Sequence, residues 1–283
     1  MAGGDADPNL ASLLRLLEAE RVPHLAILAG ASTHPRLSWD LERDALRFNG
    51  RTIAPPALFI RHDVFTNLED NRPQSAARAY AWFAAVAGWA QAHATVRILN
   101  RHHSWQLLKP QQLVMARAAG LAVPSTRITN DLASLGDGRG LVVKPVTGGD
   151  YCQPLEPVLA RTEQRNGAAA SPAIVQERLV PPELRVYRVG RRFLSFEIAS
   201  DALDYRATQN VRVTPAKNDR TLVSRLRKVM NAMRLDFGAA DFKTSPKTGQ
   251  LQFLEVNSSP MFAAFDAVSG DAVSRAIVAA LTE

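Results

Sequence analysis

The sequence predicts an α/β (α+β) protein, and three observations carry the prediction. Apolar runs of strand length alternate with amphipathic helical stretches, turn residues stand at the junctions, and charged residues recur inside the strand-like runs of the second half. A chain of 283 residues with 46% apolar content is long enough for one large or two to three small units, each with its own core. The single cysteine, Cys152, excludes an intramolecular disulfide framework and a four-cysteine zinc site, so a reducing compartment is expected and Cys152 is read as incidental.

Residues 9–22 place Leu10, Leu13, Leu14 and Leu17 at helical spacing, and HLAILAG (24–30) then reads as a buried strand. In DALRFNGRTIAP the pair Asn49-Gly50 separates two short strand-like runs, a strong hairpin signal, and ALFIRHDVF (57–65) follows as another strand. An alanine-rich helix and the strand TVRILN (95–100) complete what is expected to be a small α/β domain with a mixed sheet. From Lys109 a helix begins with Pro110 in its first turn, closes at Gly120 and leads through Pro124 into a strand. GLVVKPV, AIVQERL, ELRVYRV and RRFLSFEIAS are four strands in close succession, the last two forming a hairpin through Gly190 and Arg191. Residues 161–171 are expected to be a flexible loop, and GDGRG (136–140) a turn. Asn218 is expected to cap a helix over 219–235; GAADFK and QLQFLEVN form a hairpin across SPKTG, and residues 270–282 end the chain as a helix.

Several function classes are set aside at this stage. The apolar run AYAWFAAVAGWA (79–90) is a dozen residues, against the roughly 20 that a membrane-spanning helix needs, so a packed core helix is expected and no membrane partner. The net charge of +7 comes from scattered arginines with no basic run, a balance suited to anionic small substrates rather than nucleic acid. The start MAGGDADPNL carries no basic n-region or apolar core, so a cytoplasmic location is expected. Walker-type, Rossmann-type, zincin and nucleophile-elbow motifs are missing.

What remains is charge inside apolar strands, which costs free energy unless it is paired or ligand-bound. Lys144 follows three apolar residues and precedes Pro145 and the Gly148-Gly149 pair; it either snorkels at a strand edge or reaches an anion that backbone amides cover. Gln176 and Glu177 interrupt a strand, as solvent-facing alternation or as edge groups for a planar heterocycle. Glu183 and Arg185 share one strand face, where a surface salt bridge is the simple account; Asp204, Arg206 and Asn210 fall in a loop, and Lys243 faces either the site or solvent. In LQFLEVN, Phe253, Glu255 and Asn257 should share one face, with Leu254 and Val256 on the other. Across the hairpin Asp241 can lie opposite or diagonal to Glu255, which would gather two carboxylates and the Asn257 amide oxygen. Three hard oxygen donors without histidine or thiolate suit magnesium, which keeps waters and takes further ligands from phosphates.

In their order these motifs resemble the ATP-grasp superfamily over about residues 109–266: a lysine before a helix, V-V-K-P, Q-E-x-L, E-L-R, D-Y-R, D-F-K and L-E-V-N. Within it the chain is most similar to the RimK-type glutamyl ligases and to the graspetide ligases, which form ω-ester or ω-amide bonds in peptides. The resemblance implies an ATP-grasp fold with an N-terminal α/β domain (1–105) and two subdomains (106–179 and 180–283) enclosing the nucleotide. It implies ATP and one or two Mg2+ ions, with Mn2+ able to substitute. Lys109 and Lys144 would hold phosphates under a Gly148-Gly149 lid, Gln176, Glu177 and Leu179 would contact adenine, and Glu183 the ribose. Asp241, Glu255 and Asn257 would bind metal, while Arg185 and Arg206 would hold the substrate carboxylate and stabilise the transferring phosphoryl group. The implied activity is a carboxylate–amine ligation through an acyl phosphate with release of ADP; the alternatives are side-chain amide or ester formation in a ribosomal precursor peptide, and small-molecule phosphorylation. The implied partners are small-molecule or peptide carboxylates and amines, with a homo-oligomer left open. The lid T-G-G-D is short against those of many relatives, and the first hundred residues match no motif of the superfamily.

Overall fold

The computed structural model describes the chain apart from residues 66–71, 104–107, 148–150, 201 and 204–210. It divides into two units, Met1–His102 with Val189–Arg192 and Ser259–Glu283, and His103–Arg188 with Phe193–Ser258.

In the first unit β1 (Ala2–Gly4) pairs in parallel with β2 (Ile27–Ala29), and Ala2 also bridges in parallel to Ile60. Parallel neighbours need a crossover, and α1 (Pro8–Ala19) supplies it. One oxygen of Asp7 caps α1 by accepting the Asn9 N–H at 2.8 Å; the other accepts from Arg61 Nε at 2.7 Å, and Arg61 donates again to the Pro260 carbonyl at 2.9 Å. Both charged side chains are buried, at 1% and 0% exposure, so removing either would strand the other at a cost of about 3–5 kcal/mol.

The antiparallel strands β3 (Leu37–Asp40), β4 (Ala45–Phe48) and β5 (Arg51–Thr52) make a separate three-stranded sheet, and β6 (Ala57–Leu58) pairs in parallel with β7 (Arg97–Ile98), so the expected mixed sheet is split by strand direction. Asn49 and Gly50, at φ of 48° and 83°, form the β4–β5 turn, both in the left-handed region that such a turn demands. The alanine-rich run lies in α2 (Pro73–Ala92), which buries Ala79, Val86, Trp89 and Ala90 and leaves Tyr80 exposed. Among the described residues no helix is long and apolar enough to cross a membrane.

Just past α2, His93 sits between two acceptors, the Trp89 carbonyl at 2.7 Å and Asp44 Oδ2 at 2.9 Å. The carbonyl first and then the carboxylate raise its pKa above the ordinary 6.5, while the imidazole and the Trp39 N–H lower that of Asp44 below 3.8. The His93 contribution to stability is complete below about pH 6.5 and fades as pH rises through the raised value; that of Asp44 is complete above 3.8 and fades as pH falls. Melting temperatures across pH 5–8 should therefore fall more steeply in the wild type than in His93→Gln, and equal slopes would show that the contact does not form in solution.

The second unit opens with α3 (Lys109–Ala118), with Pro110 in its first turn and Gly120 at φ 85° just beyond its end. Strands β8 (Thr126–Asp131), β9 (Leu141–Pro145), β10 (Gln153–Pro154) and β11 (Ala168–Glu177) form an antiparallel sheet in the order β10-β9-β11-β8, with the short α4 (Leu155–Arg161) after β10. The expected flexible loop at 161–171 is instead a tight turn: Asn166 and Gly167 take φ of 52° and 80°, Arg165 bridges to Ala168, and β11 begins there. The alanines that follow have weak strand propensity, which hid a hairpin signal as strong as that at Asn49-Gly50.

A five-stranded sheet follows in the order β14-β13-β12-β15-β16, built from β12 (Val180–Val189), β13 (Arg192–Ala199), β14 (Arg212–Ala216), β15 (Phe237–Thr244) and β16 (Leu251–Asn257). β12 and β13 turn through Gly190, at φ 58°, as the sequence predicts. Helix α5 (Arg220–Ala232) buries Val223, Leu226, Val229 and Met230 in a core shared with Val186, Ala240, Phe242, Phe253 and Val256. Its cap is Asp219, which accepts the Leu222 N–H at 2.9 Å, and not the expected Asn218; Asn218 accepts from Ser195 Oγ at 2.7 Å and donates to the Phe193 carbonyl at 2.8 Å, tying the chain to β13. Finally α6 (Ala263–Ala267) and α7 (Ala272–Thr282) belong to the first unit, where Asn9 Oδ1 accepts the N–H groups of Phe262 and Ala263.

Candidate active site

Strand alternation builds the site. On β12 and β15 the side chains of Val186, Ala240 and Phe242 enter the core, which leaves Glu183, Arg185, Asp241 and Lys243 on the opposite face of the sheet. On β16 the pattern is broken by a register shift between the Asp241–Glu255 and Phe242–Phe253 pairs. That bulge gives β16 one extra residue, so Phe253 joins Val256 in the core and Leu254 lies with Glu255 and Asn257 on the cleft side. The sequence expectation of a shared face for Phe253, Glu255 and Asn257 is thus corrected, while Asp241 stands directly opposite Glu255 as the hairpin suggests.

These residues line a cleft of about 820 Å³, its open mouth included, whose remaining walls bring in Lys109 from the start of α3, Lys144 from β9, and Gln176, Glu177 and Leu179 from the end of β11 and just beyond. Among the described residues three ion pairs join groups of its lining. The Arg185 guanidinium grips Asp241 with two bonds of 2.7 and 2.8 Å, Lys109 Nζ is 2.8 Å from Glu255 Oε2, and Lys243 Nζ is 3.2 Å from Glu183 Oε2. Asn257 Nδ2 points to Asp241 Oδ2 at 3.4 Å. Gln176 donates to Thr126 Oγ1 at 2.8 Å, and Glu177 accepts the Ser125 N–H at 3.1 Å, so these two side chains brace β8 against β11.

Lys144 has no ion pair among the described residues. Burial lowers its pKa below 10.5 and Lys109 pushes it further down, against the opposing pull of Glu255, Cys152 and Asp241. The pKa of Glu183 is raised by burial, with Lys243 as the main opposing influence. The described lining is therefore neutral in formal charge, with Lys144 and Glu177 outside the three internal pairs and Glu177 facing Lys247 at 3.6 Å instead. An anion arriving there would meet a cation that burial has made costly to hold alone.

A second cavity, about 790 Å³ with its mouth, shares Lys109, Glu255 and Asn257 with the cleft, and its other walls mix polar groups such as Gln112 and Thr147 with apolar ones such as Val146 and Leu235.

No protein-family model matches the sequence, and no curated protein matches it. Solved structures do. The ATP-grasp ligase PsnB in complex with a minimal precursor, Mg and ADP is similar at a TM-score of 0.73 and 21% identity, over 100% of this chain and 97% of that one. The macrocyclase MdnC of Microcystis aeruginosa MRC, bound with the precursor peptide MdnA, is similar at a TM-score of 0.72 and 18% identity, over 100% and 98% of the two chains. The chain has the ATP-grasp fold. A RiPP-associated ATP-grasp ligase of Chryseobacterium gregarium, in complex with ADP and a leader and core peptide, is similar at a TM-score of 0.69 and 16% identity over 99% and 95%.

The ATP-grasp cleft gathers ten of the residues expected from the sequence: Lys109, Lys144, Gln176, Glu177, Leu179, Glu183, Arg185, Asp241, Glu255 and Asn257. Gly148, Gly149 and Arg206 lie outside the described residues, as do Asp204 and Asn210. Sequence reasoning missed Val142, Leu203 and Leu254, which line the cleft, and set aside Cys152, which lines it too. The V-V-K alternation could have pointed to Val142, two residues before Lys144 and on the same strand face. Leu254 was hidden by the bulge.

Among the described residues no three His, Cys, Asp or Glu side chains cluster as a metal site; where β15 meets β16 the cleft offers two opposed carboxylates and the Asn257 amide, and its thiol, Cys152, comes from outside these strands. That set fits Mg2+ completed by phosphate oxygens and water, provided Arg185 and Lys109 yield the carboxylates they now hold.

Proposed function

We propose that the protein is an ADP-forming ligase that joins a carboxylate to an amine through an acyl phosphate. The observation that carries this reading is the opposition of Asp241 and Glu255, with Asn257 beside them, in one ATP-grasp cleft that also holds Lys109 and Lys144. Asp241, Glu255 and Asn257 would hold one or two Mg2+ ions, which when bound neutralise the β- and γ-phosphates. Lys109 and Lys144 take the phosphate oxygens, which relieves the burial cost of Lys144. Leu179, Val142 and Leu254 give the base an apolar bed, and Glu183 accepts from the ribose.

The substrate carboxylate forms a bond to the γ-phosphorus as the bond to ADP breaks; the nucleophile then adds to the acyl carbon, loses its proton and expels phosphate. Arg185 is placed to stabilise these charges once Asp241 turns to metal, and Arg206 belongs to the same proposal. Catalysis is then positioning plus charge stabilisation, with no nucleophilic side chain required. The subdomain division at 106–179 and 180–283 and a cytoplasmic location belong to this reading as well.

A second reading shares the chemistry: the acid is a side chain of a ribosomal precursor peptide, closed to an amide or ester. It is favoured by the similarity to three solved ligases that hold precursor or leader and core peptides.

Magnesium-dependent ATP cleavage should be measured against amino acids, dipeptides and precursor peptides encoded near the gene. ADP formed only with an acid and a nucleophile, and a product lighter by one water than their sum, is expected. AMP would overturn the acyl phosphate, and a stable phosphorylated product would mean a kinase. A leader peptide required for turnover would select the second reading.

A further inference from the structure

Lys243 has no role in the scheme above, yet it is built into the cleft. It follows Asp241 by two residues on β15, so it faces the same side, and its side chain is 8% exposed beside a Glu183 side chain at 10%. Its ammonium is 3.2 Å from Glu183 Oε2 and donates to the Leu203 carbonyl at 3.0 Å. Two of its three donors are thus already engaged within the protein, which ill suits a group meant to follow phosphates.

Glu183 in turn has Asp241 and Arg185 on its own side of the sheet, and those two satisfy each other. Among the described residues Lys243 is the cation in contact with it, at 3.2 Å. An ionised carboxylate is acceptor-only, with about four lone-pair sites, so a ligand that meets its remaining sites must bring donors. On a nucleoside triphosphate a pair of adjacent donors is found in the ribose hydroxyls.

On the proposed nucleotide reading, we infer that Lys243 is a positioning residue that fixes Glu183 as an oriented acceptor for the two ribose hydroxyls, and that the pair makes the cleft select ribonucleotides over deoxyribonucleotides. The selection follows from what an analogue leaves behind. A site organised to bond a hydroxyl rejects the ligand lacking it because its buried polar groups lose their partner. With Lys243 replaced by an apolar side chain, Glu183 is free to reorient, and the distinction is lost.

The test is binding of ATP, 2′-deoxy-ATP and 3′-deoxy-ATP, each with Mg2+, to the wild type, Lys243→Met, Lys243→Arg and Glu183→Gln by titration calorimetry, with a thermal melt of each variant. The wild type should prefer ATP about tenfold or more over each deoxy analogue. Lys243→Met should bring the three affinities to within about twofold, and Lys243→Arg should restore most of the preference. An equal loss for all three nucleotides in Lys243→Met, with their ratio kept, would reduce Lys243 to a structural residue and overturn the inference. So would a wild type that binds ATP without preference. If Lys243→Met fails to fold, Glu183→Gln decides: an unchanged ratio there overturns the inference and a collapsed ratio supports it. A wild type that binds none of the three overturns the nucleotide reading itself.

Discussion

Glu255→Ala is expected to reduce magnesium-dependent ATP cleavage by at least about a hundredfold, since charge stabilisation by a bound metal contributes several kcal/mol and each 1.36 kcal/mol is a factor of ten. The substitution removes one of the two opposed carboxylates and, in the same stroke, releases Lys109 from its 2.8 Å ion pair. Two effects of opposite sign follow. Metal-dependent turnover falls, while nucleotide binding in the presence of a chelator holds or tightens, because Lys109 and Lys144 then face the phosphates with one acid fewer between them. Measuring both on the same preparation separates lost metal from lost fold. Wild-type turnover would remove Glu255 from the metal site. Asp241→Ala should abolish turnover too but is a poorer probe, since it also removes the carboxylate that grips the buried Arg185 guanidinium with two hydrogen bonds.

Much of this site is legible in the sequence because it lies on strands, where period-two alternation converts spacing into direction. Glu183 and Arg185 in E-L-R, and Asp241 and Lys243 in D-F-K, fall on one face by that rule alone, and the SPKTG turn places Asp241 against Glu255. The rule fails where a residue is inserted into the ladder: the β16 bulge sends Phe253 to the core and Leu254 to the cleft, and no local composition signals it. It fails again where partners are remote in sequence. Asp7 and Arg61, 54 residues apart, are each unremarkable alone, and their buried pair exists because β1 and the residues near Ile60 are brought side by side. The pairing of Lys243 with Glu183 depends in the same way on β12 and β15 being neighbours, an order set by the whole sheet. Asn218 and Asp219 mark the limit of capping rules: both are good caps, and the adjacent Ser195 and Phe193 on β13 decide between them.

Lys144→Met should weaken Mg–ATP binding by about ten- to a hundredfold and yet raise the melting temperature of the protein without nucleotide. The two expectations have one cause. Burial, and next to it the Lys109 ammonium, hold the Lys144 pKa below its usual 10.5, which means that the charged form is penalised in the folded chain. Below the lowered value the penalty is present in full; it is relieved as pH rises through that value, where the folded chain has given up a proton that the unfolded chain still binds. Methionine fills a similar volume without the charge, so at this half-buried position it removes the desolvation penalty while keeping the packing. A triphosphate relieves the same penalty from outside, so the wild type should gain thermal stability on adding Mg–ATP and the variant little. The gain in melting temperature from the substitution should also shrink as the pH is raised from 7 toward 10. If Lys144→Met melts below the wild type at every pH and still binds Mg–ATP as tightly, Lys144 is a packing residue, and the phosphate end of the cleft must be sought around Lys109 alone.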